Sequence, residues 1–218
     1  MNKNYQITDI KVRKNNPNKI QLYLDYELFA EIDYYLVRDL ELFVGKTLSE
    51  PTLEIIEQNS KLSKAKNEAI RFLSYRSRSE WEVEKKLQEK KYQPDIIKRV
   101  ICWLKDDNLI NDHIFAKQWA RYLIDKKPAG ELKLRNELYK KGIDKEIINN
   151  VLSSIFEQDE DELSLAHQLI KKRLSSLQSK NMKLEPRRII SLLKSQGFSN
   201  SVIQTVYNEY IDNENIEV

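Results

Sequence analysis

The stretch that decides the fold runs from Arg76 to Leu104 and reads RSRSEWEVEKKLQEKKYQPDIIKRVICWL. Its apolar residues recur at helical spacing on either side of a short break, which predicts two short helices joined by a tight turn. Leu87 is followed at fixed intervals by apolar residues at positions 92, 96, 97 and 100. The same intervals follow Leu138 and Leu193, so the pattern occurs three times.

The spacing of these leucines, 51 and then 55 residues, predicts tandem units of about fifty residues. A unit of this length buries its apolar face only by stacking against its neighbours. We therefore predict a mainly α fold, an elongated tandem array of three three-helix repeats with a small N-terminal β/α segment. The predicted domains are residues 1–60 for the N-terminal segment and residues 61–108, 109–157 and 158–218 for repeats one, two and three.

Residues 5–32 depart from the helical pattern. Ile20, Leu22 and Leu24 alternate with Gln21, Tyr23 and Asp25, which is the period-two pattern of a half-buried strand. A turn is expected at Asp25 and Tyr26. We predict an antiparallel sheet of about three strands here.

Several helix starts and one core position can be placed from residue type. Ser79 and Glu82 stand three residues apart ahead of an apolar stripe, which predicts a capping box. Good N-cap residues precede two further helices at Asn111 and Asp144. Leu138 should be a core anchor, as its two repeat equivalents also indicate.

The composition favours a helical protein of the cell interior. One third of the residues are charged, and the chain has only 4 glycines and 5 prolines. The single cysteine excludes an internal disulfide and fits a reducing compartment. There is no signal-peptide pattern, and no apolar run approaches the ~18 residues of a membrane span. We therefore expect a soluble, cytoplasmic protein that does not enter a membrane.

The sequence offers no constellation typical of an enzyme. It contains no glycine-rich phosphate loop, and its carboxylates are scattered over polar helix faces. Cys102 has apolar neighbours on both sides, so we expect a buried structural thiol. His113 and His167 are isolated, and no Cys/His cluster has metal-ligand spacing. We expect no catalytic residues, no metal and no cofactor.

Basic residues are the better indication of function. Residues 61–152 carry 22 basic and 14 acidic side chains, a net charge of +8. The flanking regions are acidic, at −3 for residues 1–60 and −2 for residues 153–218. For any single lysine a solvated helix surface is the simpler interpretation, but an excess of this size indicates an anionic partner.

Seven basic residues of the first two repeats are the candidates for that contact. Most of them lie at predicted helix starts or on faces opposite the apolar stripes, and the arginines can bind carboxylate or phosphate through two parallel hydrogen bonds. The candidate residues are Arg76, Arg78, Lys85, Arg121, Lys127, Lys133 and Arg135.

Three stretches of the chain resemble the RecX family of bacterial regulators of the RecA recombinase. Residues 76–87, RSRSEWEVEKKL, resemble the signature of that family's first repeat. Residues 106–116, DDNLINDHIFA, and 130–143, GELKLRNELYKKGI, resemble its link and second repeat. The resemblance covers about residues 65–210. One departure is Lys91, which stands where the later repeats keep a glycine.

The resemblance implies a regulator without enzymatic activity. Its partners would be the RecA filament and single-stranded DNA, contacted directly or through RecA, and the chain is expected to be a monomer. It would inhibit RecA ATP hydrolysis, filament growth and strand exchange in recombination, DNA repair and the SOS response. Two alternatives remain open on the residues alone: a free-standing helical nucleic-acid-binding module, and a HEAT-like adaptor that binds only protein.

Overall fold

The computed structural model describes residues 5–14, 16–159, 161–178 and 185–216. These residues belong to two compact units, each of which joins two separate stretches of the chain. Met1–Arg76 and Val83–Asp107 form the first unit, and Ser77–Glu82 and Asn108–Val218 form the second.

The first unit begins with a four-stranded antiparallel sheet. Its strands are β1 (Tyr5–Arg13), β2 (Asn16–Leu24), β3 (Glu27–Asp33) and β4 (Thr47–Leu48), in the order β3-β2-β1-β4. Asp25 and Tyr26 form the predicted turn between β2 and β3, and both have positive φ, at 47° and 70°. The two-residue strand β4, which pairs with the start of β1, is too short for a sequence pattern to predict.

Burial follows the alternation predicted for β2. Ile20, Leu22 and Leu24 are buried. Ile7 of β1 and Ile56, on the helix that begins at Glu50, are buried with them. One face of the sheet is therefore covered, which fixes its register because a one-residue slip would expose this whole set.

The first unit also contains the helices α1 (Tyr34–Asp39), α2 (Glu50–Leu73) and α4 (Pro94–Asp106). Helix α2 packs against both β3 and α4. It runs without a break through position 60, where the sequence predicts the end of the N-terminal segment. Helix α3 (Glu80–Glu89) follows the loop after α2.

The second unit contains the helices of repeats two and three. Repeat two is α5 (Asp112–Lys126), α6 (Glu131–Tyr139) and α7 (Lys145–Ser154). After a five-residue π-helical turn come α8 (Glu162–Gln178), α9 (Pro186–Ser195) and α10 (Asn200–Ile216). Helix α7 packs against α5 and α6, and α10 packs in the same way against α8 and α9. Within the described ranges, no helix is long and apolar enough to cross a membrane.

The three repeats end their middle helices with one geometry. Leu87, Leu138 and Leu193 are each fully buried. Their carbonyl oxygens accept a hydrogen bond from the backbone N–H five residues later, at 3.2 Å in all three cases. The residue before that donor has a positive φ in every repeat: 61° at Lys91, 72° at Gly142 and 75° at Gly197. This confirms the mainly α fold of three-helix repeats with a small N-terminal β segment.

The predicted caps of two helices are also confirmed. The Asn111 side chain accepts from the backbone N–H of Ile114 at 3.0 Å, and the Asp144 side chain accepts from Glu146 at 2.7 Å. Each satisfies a backbone donor that a helix start leaves without an intrahelical partner.

Candidate functional site

The structure divides the seven predicted contact residues by exposure. Arg76, Lys85, Arg121 and Lys127 are exposed, whereas Arg78, Lys133 and Arg135 are half-buried. Of the exposed four, Arg76 and Lys85 belong to the first unit and Arg121 and Lys127 to the second. The side chains of the half-buried three are partly covered by other residues of the chain.

Arg135 on α6 is held by contacts within the second unit. Its guanidinium donates to a Glu131 carboxylate oxygen at 2.6 Å and to the Asn149 side-chain oxygen at 2.5 Å. The hydrogen bond to Glu131 raises the pKa of Arg135. Some of the guanidinium N–H groups that would bind a ligand therefore already donate to groups within the protein.

Lys133, also on α6, reaches a neighbouring repeat. Its ammonium nitrogen donates to the Gln196 side-chain oxygen at 2.7 Å, just after α9. Burial is the main cause that lowers the pKa of Lys133, and the positive charge of Lys127 lowers it further. Lys133 therefore links repeats two and three. The positive charge of Lys127, the residue after α5, also acts on it.

The segment that carries Arg78 is fixed by its next residue. Ser79 and Glu82 form the predicted capping box: the Ser79 hydroxyl accepts from the Glu82 backbone N–H at 3.2 Å, and the Glu82 carboxylate accepts from Ser79 at 3.4 Å. The same hydroxyl donates to the carbonyl oxygen of Lys141 at 2.6 Å. Lys141 in turn places its ammonium 2.9 Å from the Glu82 carboxylate. Arg78 thus stands on a segment anchored to the end of α6.

An equivalent anchor joins repeats two and three at Gly130, which occupies the position of Ser79. Gly130 donates its backbone N–H to the Gln196 carbonyl at 3.0 Å, and Leu132 donates to Gly197 at 3.1 Å. A Cβ atom at Gly130 would lie 2.4 Å from the Gly197 oxygen. Only glycine permits this approach of two backbones, and the approach sets the position of Lys133.

Lys127, one of the seven predicted residues, lies in a concave site. It lines a cleft of about 660 Å³ in the second unit, together with Lys172 and Arg173 of α8 and Arg188 of α9. The last three are not among the seven residues predicted from the sequence. Residues 163–208 carry eight basic side chains and one acidic side chain. Acidic residues at both ends of the third repeat hid this excess in its net charge.

Cys102 is exposed, so the prediction of a buried thiol is wrong. Helix α4 buries Ile97, Val100, Ile101 and Leu104 on one stripe, and position 102 falls outside that stripe at 100° per residue. Apolar neighbours in the sequence do not decide the burial of a helical residue.

The two histidines lie on the surface. His113 is exposed, and His167 contacts the Glu209 carboxylate at 2.6 Å between two exposed side chains. Within the described parts of the chain, no group of three or more His, Cys, Asp or Glu residues could hold a metal ion.

Two family models match the chain. The model of RecX, first three-helix domain, matches residues 65–104, and that of RecX, second three-helix domain, matches residues 111–152. Regulatory protein RecX of Clostridioides difficile (strain 630) is 31% identical over 207 residues, which cover 94% of this chain and 96% of the relative. Regulatory protein RecX of Bacillus subtilis (strain 168) is 32% identical over 214 residues, which cover 97% of this chain and 80% of the relative.

Two solved structures are similar as well. A crystal structure of regulatory protein RecX has a TM-score of 0.74 and 26% identity, and the match covers 94% of this chain and 99% of that chain. The crystal structure of RecX from Lactobacillus salivarius has a TM-score of 0.59 and 30% identity, and the match covers 68% of this chain and 96% of that chain. The similarity therefore extends beyond the two matched domains.

Proposed function

Because the chain belongs to the RecX family, we propose that it regulates the RecA recombinase by binding the RecA–single-stranded DNA filament. Bound there, it inhibits RecA ATP hydrolysis, filament growth and strand exchange in recombination and DNA repair. The observation that carries this proposal is the match to regulatory proteins named RecX over 94% of the chain or more.

The surface chemistry supports a partner that presents negative charge. Arg76, Lys85, Arg121 and Lys127 are exposed in the two repeats that the family models match. Such cations steer an anionic partner toward the surface and raise the rate of encounter. A RecA–DNA filament offers phosphates and acidic side chains together, so both contacts can form at once.

An inhibitor of this kind works by differential binding. It changes the balance between filament states only if it binds one state more tightly than the other. A tenfold preference is worth about 1.4 kcal/mol, which a few charge-assisted hydrogen bonds can supply. The proposed role therefore requires no catalytic group, and the regulatory names of the relatives agree with this.

Co-sedimentation tests the proposal directly. The chain is mixed with RecA–DNA filaments, with RecA alone and with single-stranded DNA alone, and each pellet is analysed. We expect the filament to retain the most chain. Retention by DNA alone, equal to that by the filament, would favour the nucleic-acid-binding module. Absence from every pellet would favour an adaptor for another protein.

A matched pair of variants tests the predicted surface. In the first variant, the exposed candidates Arg76, Lys85, Arg121 and Lys127 are changed to glutamate. The control carries the same change at four exposed lysines outside the predicted surface, Lys64, Lys98, Lys145 and Lys171. The first variant should lose filament binding and the control should keep most of it. Equal losses would show that binding follows net charge and not these positions.

A further inference from the structure

The cleft that contains Lys127 joins cations from two repeats. Lys127 follows α5, Lys172 and Arg173 lie on α8, and Arg188 lies on α9. No carboxylate is among the described residues that line the cleft. Four positive side chains around one concavity repel each other, and an anionic ligand relieves that repulsion.

Helix periodicity explains how the sequence builds this cleft. The lining residues of α8 are at positions 169, 172, 173 and 176, and those of α9 are at 188, 191, 192 and 195. Both sets follow the spacing of a single helix face. The opposite face of α9 buries Ile189 and Leu193 in the core. Arg188 therefore points away from the buried side of α9.

The charges of the cleft have little compensation from the described residues. Among the described residues, none forms an ion pair with Lys127, Lys172 or Arg173. Arg188 contacts the Glu185 carboxylate through its Nε at 3.3 Å, which leaves the other N–H groups of its guanidinium available.

Hydroxyl groups and apolar surface complete the lining. Ser176, Ser191 and Ser195 contribute hydroxyl groups, and Leu169 and Leu192 contribute apolar surface. The Ser191 and Ser195 hydroxyls donate to the Arg188 and Leu192 carbonyls of α9 at 3.2 and 2.7 Å, so the cations are the main donors that the cleft offers a ligand. Serine, lysine and arginine are among the side chains that contact phosphate oxygens in protein–DNA complexes. The volume of about 660 Å³ lies within the usual range for ligand sites, so the cleft has room for a sugar as well as its phosphate.

We propose that this cleft binds the phosphodiester backbone of a single DNA strand. The choice of DNA as the source of the phosphates rests on the proposed function, and the inference deepens it by naming the site and its ligand. Among the described residues, no aromatic side chain lines the cleft, so no ring there stacks on bases, and the four cations contact phosphates, which carry no sequence information. Binding is therefore independent of sequence and strongly dependent on salt.

The test uses the full chain without RecA. Fluorescence anisotropy of a labelled oligothymidylate is measured over a range of salt concentrations for the wild type and for the double variant Lys172→Gln with Arg173→Gln. The control is Lys171→Gln with Arg187→Gln, two exposed cations on the same two helices that do not line the cleft. Circular dichroism spectra establish that all three proteins are folded alike.

The expected effect follows from counterion release. Loss of two phosphate contacts should reduce the log–log salt slope by about 1.4, since each contact on a single strand contributes about 0.7. At about 0.1 M salt this is a roughly 25-fold loss of affinity, because the electrostatic part of the affinity vanishes near 1 M. The control should stay within about twofold of the wild type.

Three results would overturn the inference: no anisotropy change with the wild type at low salt, equal weakening in both variants, or displacement of DNA by polyglutamate as effectively as by unlabelled oligothymidylate. The last would assign the cleft to an acidic protein surface. Displacement by inorganic phosphate only at concentrations far above those of DNA supports it. None of these readouts contains RecA, so the inference can fail while filament binding stands, and filament binding can fail while the cleft still binds DNA.

Discussion

Replacement of Ser79 by alanine removes two hydrogen bonds through one oxygen atom. The hydroxyl accepts from the Glu82 backbone N–H, which caps α3, and donates to the Lys141 carbonyl at the end of α6. Ser79 is completely buried, so water does not replace either bond without rearrangement of the segment. The substitution therefore tests the cap and the anchor together.

The two losses can be estimated separately. Loss of a serine cap costs about 1 kcal/mol. Loss of the part-buried bond to the Lys141 carbonyl costs about 1–3 kcal/mol if that acceptor stays unsatisfied, so Ser79→Ala should lower the free energy of unfolding by about 2–4 kcal/mol. Alanine fills nearly the same volume, and no large cavity adds to this cost.

Chemical denaturation, followed by circular dichroism and by tryptophan fluorescence, measures this difference. The matched control is Asn111→Ala, which removes an exposed cap with a single acceptor bond and should cost about 1 kcal/mol. The excess of Ser79→Ala over Asn111→Ala gives the contribution of the bond to Lys141. If the two variants lose the same stability, that bond contributes nothing and the anchor is not an energetic link.

Three further substitutions test the shared repeat geometry. Leu138→Ala should lower the free energy of unfolding by about 2–5 kcal/mol, since the side chain is fully buried. A loss below about 0.5 kcal/mol in chemical denaturation would show that Leu138 is not a core residue. Lys91→Gly should stabilise the protein by roughly 0.5–1 kcal/mol, because glycine adopts without strain the positive φ that strains lysine. Thermal unfolding measures this, and a melting temperature below that of the wild type would refute it. Gly142→Ala should cost roughly 2–5 kcal/mol, since its Cβ would lie 2.3 Å from the Trp81 Cβ at a positive φ; wild-type stability would show that Trp81 moves away freely.

Much of the fold could be predicted because its signals are local. The intervals after Leu87, Leu138 and Leu193 reflect one backbone arrangement, and a capping residue bonds within its own helical turn. The strand β4 and the unbroken helix through position 60 were not predicted. A two-residue strand exists only because β1 lies beside it, and helix continuity through position 60 carries no sequence signal of its own.

The candidate site was less accessible to sequence analysis. An excess of positive charge in the sequence identifies a basic region. It does not show which basic side chains form hydrogen bonds or ion pairs within the protein. Arg135 and Lys133 are bonded to Glu131 and Gln196, and the second of these partners lies 63 residues away in the sequence. Lys127 was selected without its neighbours Lys172 and Arg188, because the convergence of α5, α8 and α9 is a tertiary arrangement. In the net charge of residues 153–218, the acidic residues at both ends of the third repeat also offset its basic stretch.

A RecA ATPase titration tests most directly whether this chain inhibits RecA on single-stranded DNA. RecA is assembled on single-stranded DNA with ATP, and the chain is added in increasing amounts while hydrolysis is followed. We expect inhibition at chain concentrations well below those that saturate the DNA, because the chain binds the filament more tightly than it binds bare strand. An unchanged hydrolysis rate at all concentrations, or inhibition only once the DNA itself is covered, would contradict it.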